Sequence, residues 1–325
     1  MIVLTHEDVA DLLPMTEAIE VVATVMKGVS ARTAQLPLRA IVPVGGDNKM
    51  GVMPGSIADP QCYGVKLVSL FPGNPAKGLS SHRGAIVLFE AETGAAVAMM
   101  DASLLTAVRT AAASAVATRA LAPERAETLA LIGYGEQAEH HLEAMLAVRP
   151  IRQVAVAGRS AEKAAAFAEA AAKHHPGVQF TSGDDLRAAV EGAEIVCTVT
   201  ASPAPIVMGD WVRPGAHVNV VGSSIPSMRE VDDRMIQRGA IWVDYLPSTL
   251  AQAGEIVDMI AAGSFRAEDL KGEIGALLSG GVAGRESADQ ITIYRSLGIA
   301  AQDLAAAHHV LERAKAEGRG QTVRL

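Results

Sequence analysis

The sequence predicts an α/β chain in which a doubly wound parallel sheet is joined to an α+β segment. Three observations predict it. From about residue 128 onward, apolar strand-like runs alternate with helical ones, the pattern of a parallel sheet covered on both faces. One of these runs, Leu129-Ala130-Leu131-Ile132, leads directly into Gly133-Tyr134-Gly135-Glu136-Gln137-Ala138, a Gly-x-Gly-x-x-Ala turn that opens a helix. The first 120 residues show instead hairpin-like extended segments closed by a long alanine-rich helix. At 325 residues, two domains are expected rather than one.

Taken in order, a helix is expected at 16–29, then extended segments at 36–44, 64–70 and 85–89. Glu92-Thr93-Gly94 reads as the turn into a strand at 95–100, and a helix at 103–121 stops before Pro123, which cannot continue it. Strands follow at 128–132, 154–157, 194–200, 217–221 and 241–243, with helices at 136–148, 160–173 and 183–191 in the crossovers. Ser160 is the expected N-cap of the second of these, and Ser227 of a helix at 228–238. A last helix at 298–316 is expected to return to the first domain. The boundaries that follow are 1–121 with 300–325 for one domain and 122–299 for the other.

Half the residues are hydrophobic and 20% are charged, enough apolar surface for large cores, while aromatics make up only 3%. Alanine therefore does much of the packing, in closely approaching helices. A formal charge of −8 and the lack of a long basic run argue against a nucleic-acid partner. No apolar run is long enough to span a membrane, and Glu7, Asp8 and Asp11 do not belong in a signal peptide, so a cytoplasmic protein is expected. The two cysteines, Cys62 and Cys197, read as core residues, and no metal-ligand spacing is legible.

The turn at Gly133 and Gly135 lets backbone N–H groups and a helix N-terminus approach a pyrophosphate, because glycine has no Cβ in the way. With the strand at 154–157 closing a βαβ unit, this predicts a Rossmann-type dinucleotide-binding domain, the alternative being a plain tight turn between strand and helix. The selector position after that strand is Arg159, followed by Ser160. An acidic residue there would bind the ribose 2′-OH of NAD, whereas arginine suits the 2′-phosphate of NADP, so NADP(H) is preferred with NAD(H) as the alternative. Ser223 and Ser224 follow a strand and are placed toward the nicotinamide end. Lys66 sits in the apolar stretch Tyr63-Gly64-Val65-Lys66-Leu67-Val68, as a buried functional cation or as an edge-strand charge. Arg109 lies in a helix that is otherwise apolar all round, and a buried cation needs an anionic partner. No carboxylate lies one turn away, which leaves a ligand anion as a candidate.

Together these stretches resemble the ornithine cyclodeaminase/mu-crystallin family. The matching segments are Leu105-Thr106-Ala107-Val108-Arg109-Thr110-Ala111-Ala112, the Gly133 turn, Gly215-Ala216-His217-Val218-Asn219-Val220-Val221-Gly222, Gly284-Arg285, and Ile291-Thr292-Ile293-Tyr294-Arg295-Ser296-Leu297-Gly298-Ile299-Ala300. The resemblance implies a homodimer whose first domain binds a small imino or amino acid and forms the dimer contact. It implies substrate ligands at Arg39, Lys66 and Arg109, with Leu297 on the substrate side, and places Arg109 toward the cofactor as well. Ser81, Glu136, Gln137, Thr200, Val221, Gly222 and Ser296 match positions near the dinucleotide. His82 falls close to the substrate region and is a candidate proton donor beside Lys66.

One departure bears on the reaction. The cyclodeaminase branch has an aspartate at the position of Ser224 and a lysine at that of Met228. A serine hydroxyl has no charge to hold a distal ammonium and is a poor base without an activating neighbour, although Ser224 remains a catalytic candidate. The expectation is therefore NAD(P)H-dependent reduction of a cyclic ketimine carboxylate, Δ1-pyrroline-2-carboxylate to L-proline first. Ornithine cyclodeamination, an alanine-type dehydrogenase and a non-catalytic NADPH-dependent binder are the alternatives.

Overall fold

The computed structural model describes residues 1–324, apart from the side chain of Pro75. In chain order the elements are β1 (Ile2–Leu4), α1 (His6–Leu12), α2 (Met15–Ser30), β2 (Ala40–Gly45), β3 (Asn48–Ala58), β4 (Gln61–Leu70), β5 (His82–Phe89), β6 (Ala96–Asp101) and α3 (Ala102–Leu121). There follow β7 (Thr128–Ile132), α4 (Glu136–Val148), β8 (Gln153–Ala157), α5 (Ala161–His174), β9 (Gln179–Gly183), α6 (Leu186–Glu191), β10 (Ile195–Thr198) and β11 (His217–Val220). The chain ends with α7 (Asp233–Arg238), β12 (Gly239–Val243), α8 (Leu246–Gln252), α9 (Gly254–Ala261), β13 (Gly272–Glu273), α10 (Ile274–Leu278), β14 (Ile291–Arg295), α11 (Ala300–Glu317) and β15 (Gln321–Thr322). No helix among the described residues is long and apolar enough to cross a membrane.

The chain divides into two compact units. The first comprises Met1–Ala112 with the segment from Ile299 onward, and the second Ala113–Gly298. The division falls inside α3 rather than at its end near residue 121, because the C-terminal half of this helix is committed to the second unit. There Ser114 bonds His141, and Thr118 accepts from Asn219 and contacts Met145.

The first unit is built on a seven-stranded sheet of order β15-β1-β6-β5-β4-β3-β2, antiparallel except where β1 meets β6. Helix α11 packs on this sheet against β3, β4 and β5, and also against α2. The period-two burial of β4 turns Cys62, Gly64, Lys66 and Val68 inward. Lys66 thus lies on an interior strand, flanked by β3 and β5, so the edge-strand reading does not apply. Strand β3 was absent from the expected elements: Gly51, Pro54 and Gly55 break its apolar run, yet every residue from Lys49 to Ala58 pairs with β4.

The second unit carries an eight-stranded, wholly parallel sheet of order β13-β12-β14-β11-β10-β7-β8-β9. The strand order reverses between β7 and β10, the switch point at which doubly wound sheets bind ligands. All five expected strands of this sheet are present, and β9, β13 and β14 complete it. Trp242 is fully buried in β12, and Trp211 packs half-buried against the same core. The helix expected at 228–238 begins only at Asp233, capped by Asp232 instead of Ser227. The preceding residues are held extended: Val231 bridges Val207, and the Glu230 carbonyl accepts from the amides of Ile206 and Val207.

The buried end of α3 shows how this unit satisfies a helix terminus. The last carbonyls of a helix lack intrahelical donors. Here the Arg149 guanidinium supplies them, donating to Thr118 O, Arg119 O and Ala122 O, and to Pro123 O and Val148 O. Replacing Arg149 with Met keeps the apolar stem and strands these acceptors. We expect a loss of about 2–4 kcal/mol in urea-induced unfolding, with the midpoint lowered at unchanged slope.

Candidate functional site

In the first unit three ionisable groups converge in the core. Lys66 comes from β4, Arg109 from α3 and Asp303 from the first turn of α11, and their side chains are 3%, 5% and 0% exposed. Lys66 Nζ lies 2.9 Å from each carboxylate oxygen of Asp303 and 3.5 Å from Thr106 Oγ1. Arg109 donates from Nε to Asp303 Oδ1 at 2.8 Å and from Nη1 to Gln302 Oε1 at 2.8 Å. The anionic partner that Arg109 requires is therefore Asp303, from the far end of the sequence, and not solely a ligand. Two cations share one carboxylate, so the cluster carries an excess positive charge while Lys66 holds its proton.

Burial and neighbours set the titration of this cluster. Burial lowers the Lys66 ammonium to about 7; the Asp303 charge opposes this, and the charges of Arg109 and Arg39 add to it. For Asp303, burial acts to raise the carboxyl, but Arg109 and Lys66 outweigh it and hold it below the ordinary aspartate value. His82, at the start of β5, bonds Ser81 Oγ through Nδ1 at 2.9 Å. Its pKa is lowered by desolvation and by the charges of Lys66 and Arg109, which places the imidazole within electrostatic reach of the cluster. Arg39 is half-buried just before β2. The unit thus brings Arg39, Lys66, His82 and Arg109 into one electrostatic neighbourhood.

In the second unit the residues expected at a dinucleotide gather at the C-terminal ends of the strands. Gly133 follows β7 at φ 120°, a conformation that favours glycine, and a Cβ there would meet Val199 O at 3.0 Å. Gly135 caps α4 without a side-chain bond, and a Cβ on it would point into open space, leaving the helix N-terminus accessible. Gln137 Oε1 and Ser296 Oγ are buried and accept no hydrogen bond among the described residues. An open helix N-terminus and orphaned polar atoms fit a polar ligand such as a dinucleotide. Glu136 is exposed in the first turn of α4, and Val221 is buried just past β11. Arg159 is exposed after β8; Ser160 accepts from Lys163 N–H and donates its own N–H to Tyr134 Oη at 3.1 Å.

Beyond β10 and β11, Thr200, Gly222 and Ser223 are more constrained than their sequence suggested. Ser223 is fully buried, and its hydroxyl accepts from Arg295 Nη2 at 3.0 Å. Arg295 is itself paired with Glu255 in the core. Ser224 is half-buried and makes no hydrogen bond among the described residues, so no neighbour activates its hydroxyl. Leu297 and Gly298 donate their amides to Asp244 at 2.9 and 2.8 Å, which fixes the turn carrying Leu297. Among the described residues no group of His, Cys, Asp and Glu has the makings of a metal site. Cys62 and Cys197 are buried free thiols, both pushed by burial up to about 12.

Sequence reasoning missed Asp303, Gln302, Glu230 and Asp244. For Asp303 the signal was present. It stands in Ala300-Ala301-Gln302-Asp303-Leu304-Ala305-Ala306-Ala307, the same setting of a lone charge in a small-residue helix that singled out Arg109.

The parallel sheet with a glycine turn at its switch point, and a separate unit that completes itself with the C-terminal helix, define a two-unit protein of the Rossmann dinucleotide-binding class. More narrowly, the chain belongs to the ornithine cyclodeaminase/mu-crystallin family, whose model matches residues 1–318. It is 34% identical over 327 residues to a Δ1-pyrroline-2-carboxylate reductase of Bacillus cereus, covering 99% of both chains. It is 34% identical over 302 residues to ketimine reductase mu-crystallin of Mus musculus, covering 93% of this chain and 91% of that one. The structure of Thermococcus litoralis Δ1-pyrroline-2-carboxylate reductase in complex with NADH and L-proline superposes with a TM-score of 0.96 at 33% identity, over 99% of this chain and all of the other.

Removing the one carboxylate of the Lys66–Arg109 cluster should be costly. Asp303→Asn is expected to lower stability by about 3 kcal/mol or more in urea, because two cations lose their counter-charge. Adding Lys66→Met to that variant should recover part of the loss, a coupling that a double-mutant cycle measures.

Proposed function

We propose that the chain reduces cyclic ketimine carboxylates with a reduced nicotinamide dinucleotide, converting Δ1-pyrroline-2-carboxylate to L-proline. The observation that carries this reading is the buried cluster of Lys66, Arg109 and Asp303 with its uncompensated positive charge. A site of this kind takes up one carboxylate, and Ser224 offers no charge for a second, distal amine. Arg109 keeps Nη2 free of hydrogen bonds among the described residues, and with Arg39 it presents guanidinium nitrogens to the substrate carboxylate. Leu297 lends apolar contact to the ring.

Lys66 is the proton donor to the ring nitrogen. Its ammonium has N–H bonds beyond those used by Asp303, and burial brings its pKa into the range where transfer to an imine is easy. The reduced nicotinamide, when bound, supplies the hydride that adds to the imine carbon. One hydride on carbon and one proton on nitrogen turn C=N into CH–NH, and Lys66 regains its proton from solvent. His82 adds a second hydrogen-bonding group near the nitrogen, and Ser224 orients the ring by its hydroxyl. Because a carboxylate-bound iminium accepts hydride readily, positioning supplies most of the catalysis.

On the dinucleotide side, Gly133, Gly135, Glu136 and Gln137 would hold the pyrophosphate, and Thr200, Val221, Gly222, Ser223 and Ser296 would hold the nicotinamide end. The family resemblance adds Ser81 and Arg109 to the proposed cofactor-binding set. Arg159 with Ser160 favours NADP(H) over NAD(H), since its guanidinium is exposed and forms no ion pair among the described residues. Homodimer formation is supported by an apolar sheet face: Val65, Val87 and Met99 stand in register on adjacent strands, beside the exposed Leu67.

The deciding experiment is a screen of pyrroline- and piperideine-2-carboxylates with NADH and NADPH, scored by kcat/KM. Absence of turnover, with ammonia released from ornithine, overturns the reading. Lys66→Met is expected to lower kcat about 10²–10⁴-fold. In the parent, kcat/KM should fall as pH rises through about 7, where Lys66 loses its proton. Asp303→Asn removes the charge that raises the Lys66 pKa, so that limb should move to lower pH. Finally, Leu67→Asp should shift a dimer to monomer in sedimentation velocity.

A further inference from the structure

One fully buried carboxylate in the second unit has no part in the reaction just described. Glu230 receives four hydrogen bonds. Thr198 Oγ1 and Gly222 N donate to Oε2 at 2.9 and 2.6 Å, and Thr200 N and Thr200 Oγ1 donate to Oε1 at 2.6 and 2.7 Å. Burial raises its carboxyl above the ordinary value, against the lowering effect of these donors. Such an arrangement is expensive to desolvate, and the four hydrogen bonds offset that cost.

The donors come from two places that are remote in sequence. Thr198 ends β10 and Thr200 lies in the turn after it, whereas Gly222 lies in the turn after β11. The two turns are also in van der Waals contact: a Cβ on Gly222 would meet Thr200 O at 1.9 Å and Thr200 N at 2.4 Å. Glu230 is fixed from behind, its own carbonyl accepting from Ile206 and Val207. It therefore grips both turns from an anchored backbone.

We infer that Glu230 is a positioning residue for hydride transfer, clamping the Thr200 turn to the Gly222–Ser224 turn so that together they orient the nicotinamide end of the dinucleotide. This rests on the proposed reading that these turns face the nicotinamide. The two amides and the geometry demand two acceptor oxygens. In Glu230→Gln, whichever way the carboxamide lies, its NH2 confronts either the Gly222 N–H, leaving it only the 3.2 Å bond to Thr198 O, or the Thr200 N–H, which has no other partner among the described residues, and the grip on one turn is lost. The Gly133 turn, proposed for the pyrophosphate, packs beside Val199 and Thr200 but takes no hydrogen bond from Glu230, and its own bond from Gly133 N–H to Ala157 O at 2.9 Å stays in place.

The full-length protein tests this by calorimetric binding of NADPH and NADH, each against its nicotinamide-free fragment, 2′-phospho-ADP-ribose or ADP-ribose. For Glu230→Gln the expected result is at least a tenfold loss of affinity for the better dinucleotide, with the fragment unchanged within twofold, and a fall in kcat larger than any rise in KM for the imine. Equal losses for dinucleotide and fragment, or no loss for either, overturn the inference. Should Glu230→Gln fail to fold, Thr198→Val removes one donor from a side chain with no other role. It is expected to show the same selective loss at a few-fold, and a uniform loss or none overturns the inference equally. If the parent protein binds neither dinucleotide, the functional reading itself falls, a result distinct from a parent that binds and variants that lose nothing.

Discussion

Taking one carboxylate and two cations out of water is the constraint on which the first unit depends. Desolvating each of these groups costs several kcal/mol, and only their mutual attraction with full hydrogen bonding offsets it. Asp303 therefore has to arrive from α11, and α11 has to lie on β3, β4 and β5 for its first turn to reach Lys66 and Arg109. The alanines of α11 suit this requirement, since small side chains let that helix approach β3, β4 and β5 closely enough for short ion pairs. The returning C-terminal helix is thus an electrostatic component as much as a packing one.

The second unit solves a different problem, that of exposing backbone N–H groups at one edge of a sheet whose central strands β10, β11 and β14 are wholly buried. Parallel strands end in turns, and turns that meet a ligand cannot satisfy one another through a regular ladder. Buried side chains satisfy them instead. Glu230 serves the turns after β10 and β11, Asp244 the Leu297–Gly298 turn, and Arg149, at the opposite pole, the end of α3. The recurring device is a single charged group serving several main-chain partners at once.

Much of this was legible in the residues. The strand–glycine–helix pattern located the dinucleotide unit because Gly133 needs its unusual φ and Gly135 its missing Cβ, and both needs show in sequence. Lys66 and Arg109 stood out as charges in apolar surroundings. What the chain did not disclose was long-range pairing: the separation of 194 residues between Arg109 and Asp303 follows no periodicity. Glu230 was hidden for a local reason. It follows Ser227-Met228-Arg229, which suits a capped helix, while tertiary hydrogen bonds to Ile206 and Val207 hold it extended instead. Strand β3 escaped because proline and glycine suppress a propensity that pairing on both sides restores.

The placement of the two tryptophans has a spectroscopic consequence. Trp211 and Trp242 both belong to the second unit, and the first unit contains neither. Emission excited at the indole edge therefore reports on the dinucleotide-binding unit alone. Trp242, sealed in the sheet with its indole N–H unpartnered among the described residues, should emit at the blue end, and half-buried Trp211 further to the red. No indole belongs to the unit that holds the Lys66–Asp303 cluster, so the chain carries all of its tryptophan emission in one of its two halves.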